Sequence, residues 1–180
     1  VFYIGKKDKA SVDFNINFQR LESLTPIRHI GDENDFPNPE TNALFIEGMF
    51  GSGLSRPVEG LNAQLINHLN GTQLSIYAID IPSGLFADKP TKAGAIIEAA
   101  ATITFQTPKL AFMHPSSAHN VGDWHVVDIG LDRSFIHGQE TDFYFTSPRD
   151  INMPVRSKFD HKTSVKRAII IAGSKGKMGA

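Results

Sequence analysis

The chain has 180 residues, 41% of them hydrophobic and 21% charged, with a formal net charge of −1. That length suits one domain, or one domain and a fragment, with enough chain to bury a core. The balanced charge argues against nucleic acid or a membrane surface as partner. The absence of cysteine excludes disulfides, zinc–thiolate sites and a cysteine nucleophile, and the longest apolar runs, such as Ala168–Ala172, are far too short to span a bilayer.

The chain opens on Val1 in a strand-like run, Val1-Phe2-Tyr3-Ile4-Gly5, as expected of a piece of something longer. Ser11 starts a segment with apolar residues at Phe14, Phe18, Leu21 and Leu24, the spacing of one helix face, closed by Thr25-Pro26. Residues 31–42 are polar and carry Pro37 and Pro39, so they read as a loop. Ala43–Ile46 is a second strand, and it runs into Gly51-Ser52-Gly53-Leu54-Ser55-Arg56-Pro57. Pro57 suits the first turn of a helix whose apolar positions are Val58, Leu61, Leu65, Ile66 and Leu69, with Asn70-Gly71 as its stop. Leu74–Ile79 reads as a strand that ends at Asp80-Ile81-Pro82-Ser83-Gly84. Alanine-rich Lys92–Ala101 is predicted to be helical, and Thr102–Phe105 and Trp124–Ile129 are further strands. Strands alternating with helices imply βαβ units: an α/β fold, Rossmann-like, a three-layer αβα sandwich around a mostly parallel sheet. Residues 131–160 are polar and proline-punctuated, like a linker. Arg167–Ser174 then begins a new apolar strand and a glycine-rich turn, the start of a second domain.

Four places are candidates for chemistry. In open α/β sheets ligands bind beyond the carboxyl ends of the strands, and the loop 51–57 falls there. Its exposed backbone N–H groups and a following helix N-terminus would suit phosphate. Ser52 and Ser55 can donate hydroxyls, and Arg56 can fork onto phosphate oxygens; the plain alternative is a tight turn with a solvated arginine. Asp80 at a strand end can serve as general acid or base or hold a hydroxyl, or simply cap a turn. Glu47 can bind a cation or orient a ligand, or be a solvated surface acid. Lys109 follows a strand and could meet a phosphate, or be an ordinary exposed lysine. The seven histidines form no H-x-x-x-H or H-E-x-x-H pair, and no G-x-S-x-G elbow occurs.

Taken together, Phe45-Ile46-Glu47-Gly48-Met49-Phe50-Gly51-Ser52-Gly53-Leu54-Ser55-Arg56-Pro57 and Asp80-Ile81-Pro82-Ser83-Gly84-Leu85 resemble the YjeF N-terminal domain family, the NAD(P)H-hydrate epimerases. Ala100–Phe105 before Lys109, and Gly122–Gly130, continue the match, which covers about residues 1–131. Residues 132–160 would be a linker. His161-Lys162 and Ile169–Ala180 resemble the opening of the ribokinase-like ADP/ATP-dependent NAD(P)H-hydrate dehydratase domain, so residues 161–180 would be its truncated start.

The resemblance implies an isomerase that interconverts the R and S forms of hydrated NADH or NADPH, within a bifunctional epimerase/dehydratase. Gly51, Ser52, Gly53, Leu54, Ser55, Arg56, Pro57 and Asp80 would contact the hydrated nucleotide, with Asp80 the acid–base residue. Glu47, where the family usually has aspartate, and Ser83 would bind a potassium ion. ADP or ATP would serve only the dehydratase part. A cytoplasmic homo-oligomer is expected. The family's asparagine–glycine loop of the G-N-N-G-G-D-G type does not occur here, and Val1–Gly5 matches the strand just after it. A non-catalytic, nucleotide-binding or scaffolding YjeF-type domain is the rival reading.

Overall fold

A computed structural model describes residues 1–39, 42–151 and 158–159. The chain divides into two compact units, Val1–Phe143 and Tyr144–Ala180. The first holds every strand described. In the second, Pro148–Asp150 forms a turn of 3-10 helix, and the strand expected at 167–174 lies outside the described residues.

The first unit opens with strand β1, Phe2–Ile4, and helix α1, Val12–Glu22. Ser11 caps α1 as its position predicts: the Phe14 N–H donates to Ser11 Oγ at 3.1 Å. The helix meets the strand through aromatic side chains, with Phe18 edge-on to Tyr3 at 5.3 Å between ring centroids. A short strand β2, Arg28–Ile30, pairs parallel to β1 with Ile4 opposite Ile30. Its three residues, Arg-His-Ile, are too few to show a period, and it was not expected.

The main sheet has four parallel strands in the order β3 (Phe45–Glu47), β4 (Ile76–Ile79), β5 (Ala101–Phe105), β6 (Asp123–Val127). Glu47 lies opposite Ala78, Ile79 opposite Ile103, and Phe105 opposite Val127. Helix α2, Gly60–Gly71, crosses over between β3 and β4 and buries Leu65, Ile66 and Leu69. These pack with Ile30, Ile76, Ala78, Ile97 and Ala99 in one core. Full burial of a leucine or isoleucine side chain contributes about 1.5–3 kcal/mol. A second core gathers Ile81, Leu85, Ala111, Phe112 and Val121 beneath the turn that follows β4. The α/β class and the parallel sheet flanked by helices are as the alternation of elements implies. On the other side of the sheet, Ile46, Tyr77, Ile79, Ile103 and Phe105 remain more than a third exposed.

Two expectations are corrected. Lys92–Ala101 is not a helix: residues 92–100 take no regular secondary structure, and Ala101 opens β5. Tertiary hydrogen bonds outweigh the alanine preference here. The Ile97 N–H donates to the Ser83 carbonyl at 2.9 Å, the Ala99 N–H to that of Asn120 at 2.9 Å, and the Ala100 N–H to that of Ile76 at 2.8 Å. The Asn70 side-chain amide, at the end of α2, donates to Ile96 and accepts from the Glu98 N–H, gripping the segment on both sides. Nor does Pro57 sit in the first turn of α2. The helix begins at Gly60 after an extended Glu59, so the loop 51–57 is separated from the helix N-terminus. Within the polar segment after β6, Arg133–His137 forms a short helix α3, capped by the Asp132 carboxylate on the Phe135 N–H at 2.7 Å.

Candidate functional site

The site is built where β3, β4 and β5 end. Glu47 closes β3 and is 5% exposed, which overturns the reading of a solvated surface acid. Its Oε1 accepts the Ser83 N–H at 2.9 Å, and its Oε2 accepts the Ser83 hydroxyl at 2.6 Å and the Met49 N–H at 3.3 Å. Ser83 Oγ in turn accepts the Phe50 N–H at 2.9 Å. The approach to the glycine loop and the Asp-Ile-Pro-Ser-Gly turn are thereby tied together through one buried carboxylate. Burial pushes the Glu47 carboxyl above its ordinary range, against the lowering effect of these hydrogen bonds. Glu47 also lines an apolar cleft of about 490 Å³ between β1 and β3, with Phe2, Ile4, Phe14, Phe45 and Ile46.

Asp80 follows β4 directly and adopts a left-handed backbone, φ +67°. That conformation is uncommon outside glycine, asparagine and aspartate, and residues held in it cluster at functional sites. It is fixed from both sides: the Asp80 N–H donates to the Ile103 carbonyl at 2.8 Å, and the Ile81 N–H to that of Ile79 at 2.9 Å. The carboxylate turns across the tip of β5. Its Oδ1 forms an ion pair with Lys109 Nζ at 2.8 Å and accepts the Phe105 N–H at 3.2 Å, with the Thr104 hydroxyl at 3.5 Å. Lys109 is 14% exposed on its side chain, so it is not an ordinary surface lysine. Its other contacts are to the Phe105 carbonyl at 3.1 Å and the Thr107 carbonyl at 3.4 Å.

The turn after Asp80 depends on Gly84, at φ +100°. A Cβ there would stand 2.1 Å from the Ala95 carbonyl oxygen and 2.9 Å from Ile96 Cα. Gly122 plays the same part on the far side of the 95–100 segment: a Cβ would meet the Ala99 and Ala100 carbonyl oxygens at 2.3 and 2.4 Å.

The loop 51–57 behaves differently. Gly51, Ser52, Gly53, Ser55, Arg56 and Pro57 are exposed, Leu54 is half-buried, and Val58 anchors the far end in the core. Added Cβ atoms at Gly51 and Gly53 would meet open space. The bare backbone therefore matters only to something that approaches from solvent. Among the described residues, the hydrogen bonds and ion pair of the Asp80 side chain come from Thr104, Phe105 and Lys109, not from Ser52, Ser55 or Arg56, and Arg56 forms no ion pair. No group of three or more His, Asp or Glu side chains that could hold a metal is found among the described residues. His114 Nε2 is buried without a hydrogen-bond partner among them. The Lys109 grip on Asp80 and the Asn70 clamp escaped the sequence reading; the only trace of the first was a lysine four residues past a strand end.

Residues 1–111 match the family model described as YjeF-related protein N-terminus. The chain belongs to this family. Three YjeF-type relatives are similar over most of the chain. The bifunctional NAD(P)H-hydrate repair enzyme Nnr of Escherichia coli (strain K12) is 35% identical over 144 residues, covering 79% of this chain and 28% of that protein. The NAD(P)H-hydrate epimerase of Lentilactobacillus buchneri is 34% identical over 133 residues, covering 74% of this chain and 60% of that protein. The Nnr protein of Thermofilum pendens is 28% identical over 184 residues, covering all of this chain and 35% of that protein. The chain thus spans less than two thirds of each of these relatives. The crystal structure of yeast ynu0, YNL200c, matches with a TM-score of 0.60 at 22% identity, covering 82% of this chain and 62% of that one. It shows a shared fold.

Proposed function

We propose that the chain is the epimerase part of a nicotinamide-nucleotide repair protein and interconverts the R and S forms of hydrated NADH or NADPH. The observation that carries this reading is Asp80: a carboxylate in a left-handed backbone at the end of a parallel strand, held at one oxygen by an ion pair and a backbone N–H. The names of the YjeF-type relatives supply the substrate class.

Epimerisation changes no net bond. The hydrated carbon must lose its configuration, by ring opening or by departure of its hydroxyl as water, and regain the opposite one. Ring opening takes the hydroxyl proton and returns it on closure, whereas water loss gives the hydroxyl a proton and takes one back from the water that returns; a single positioned carboxyl group can do either. Asp80 Oδ1 is taken by Lys109 and the Phe105 N–H, which leaves Oδ2 for that exchange. The exposed loop 51–57 would receive the nucleotide, with Ser52, Ser55 and Arg56 donating to its phosphates. Residues 132–160 would link to the dehydratase part that begins at 161. The test mixes both epimers with a separate dehydratase that consumes only S. The full-length protein is expected to speed consumption of the R form; no acceleration would leave the scaffolding reading standing.

Glu47 and Ser83 suit a potassium ion by their chemistry. They are buried oxygen donors, and Glu47 has no cationic side chain paired with it among the described residues. The ion would neutralise the buried carboxylate. The extra methylene of Glu47 also lets its carboxylate reach Ser83 directly, so the Ser83 hydroxyl would have to swing its proton aside. Glu47→Ala leaves the Ser83 N–H without its acceptor and is expected to cost about 2–3 kcal/mol in urea unfolding. In thermal melts, potassium chloride is expected to raise the midpoint over choline chloride for the native protein and not for Glu47→Ala. Equal responses of the two proteins would remove Glu47 as a ligand.

A further inference from the structure

We infer that Lys109 is a positioning residue for the epimerisation: it fixes which oxygen of Asp80 reacts. The inference rests on the reading of Asp80 as the acid–base group. A carboxylate at the end of a strand ordinarily rotates about its side-chain bonds and offers either oxygen. Here every hydrogen bond from the described residues to the Asp80 carboxylate converges on Oδ1: Lys109 Nζ at 2.8 Å, the Phe105 N–H at 3.2 Å and the Thr104 hydroxyl at 3.5 Å.

Lys109 can hold that oxygen because it is itself held. Its ammonium has three protons. Besides Asp80, it meets the Phe105 carbonyl at 3.1 Å and the Thr107 carbonyl at 3.4 Å, so each proton has an acceptor. Thr107 is placed by a tight turn, its N–H donating to the Phe105 carbonyl at 2.7 Å. Gln106 between them is left-handed, φ +64°, and its N–H reaches the Val127 carbonyl of β6 at 2.7 Å. The chain after Lys109 is pinned as well: Ala111 is fully buried, and its N–H donates to the Ala87 carbonyl at 2.9 Å.

The two partners are thus mounted on separate, rigid turns, one after β4 and one after β5, and the ion pair bridges them. Both side chains are more than four-fifths buried, so the pair is far less screened than a surface salt bridge. With its protons committed, Lys109 has none left for a ligand phosphate. Its part is to hold Asp80 Oδ1 and leave Oδ2 as the oxygen that meets the substrate.

The test uses the full-length protein, the two-epimer mixture and the S-specific dehydratase, and it compares Lys109→Met, Lys109→Arg, Asp80→Asn and the double variant. Lys109→Met is expected to lower kcat about 10²-fold, the cost of a misplaced reacting group, with KM nearly unchanged. Lys109→Arg, which keeps a charged donor, is expected to recover most of the loss. In the Asp80→Asn background, Lys109→Met is expected to add nothing, because the two act as one unit. An unchanged kcat, a loss confined to KM, or independent losses in the double variant would each overturn the positioning role. If Lys109→Met fails to fold, Lys109→Gln takes its place under the same criteria. A fully active Asp80→Asn protein would instead bring down the reading of Asp80, and that result is separate from any of the Lys109 outcomes.

Discussion

Asp80→Asn is expected to slow conversion of the R epimer about 10²- to 10⁴-fold, the range that a positioned acid–base group supplies. Asparagine is the informative replacement. It tolerates the left-handed backbone at φ +67°, and its carbonyl oxygen can still accept from Lys109 and the Phe105 N–H. The ability to take and return a proton is lost, and with it the negative charge that faces the largely buried Lys109. The variant should therefore melt below the native protein and bind the hydrated nucleotide with similar affinity. A coupled assay gives the rate, and titration of the nucleotide gives the affinity. A variant that keeps the native rate would show that the proton moves through another group. A large loss of binding would make Asp80 a binding residue.

Gly84→Ala is expected to cost about 4 kcal/mol or more, at the far end of single-substitution effects. The reason is local. At φ +100° the new Cβ would fall 2.1 Å from the Ala95 carbonyl oxygen, and the obstruction is backbone. The 95–100 segment cannot retreat, because Asn70, Ser83, Asn120 and Ile76 all hydrogen-bond to it. The turn carrying Ser83 would move instead, and with it the Glu47 contacts. Urea unfolding measures the loss. An unchanged midpoint would mean that the turn and the segment are not in contact. Domains of this size carry about 5–15 kcal/mol in all, so a low yield of folded protein is part of the same expectation.

Much of the fold was legible because its signals are local. Ser11 before an apolar helical face marked α1, and the spacing of Leu65, Ile66 and Leu69 marked α2. The apolar runs at 43–46, 74–79 and 102–105 marked the strands. The failures are equally physical. Lys92–Ala101 has a helical composition, yet its N–H and C=O groups are taken by partners distant in the chain, Ser83, Asn120, Ile76 and Asn70. No local rule sees those partners. The three residues of β2 carry no period at all. At the site, the pairing of the Gly-Ser-Gly loop with Asp-Ile-Pro-Ser-Gly was legible as a pattern, and Glu47 and Ser83 tie the turn to Met49 and Phe50 just before the loop. The Lys109–Asp80 ion pair was not legible. It depends on β4 and β5 lying side by side in one register, with Ile79 opposite Ile103, and that is a property of the sheet.

The role proposed for the Asp80 carboxylate is acid–base catalysis in an epimerase. Pure R-hydrate of NADH, incubated with the full-length protein and sampled over time, tests it most directly, with the two epimers separated by chromatography. S is expected to appear until the two epimers reach the same ratio that slow spontaneous conversion gives. Asp80→Asn is expected to approach that ratio about 10²- to 10⁴-fold more slowly than the native protein. If S forms no faster with the native protein than without it, that role is contradicted.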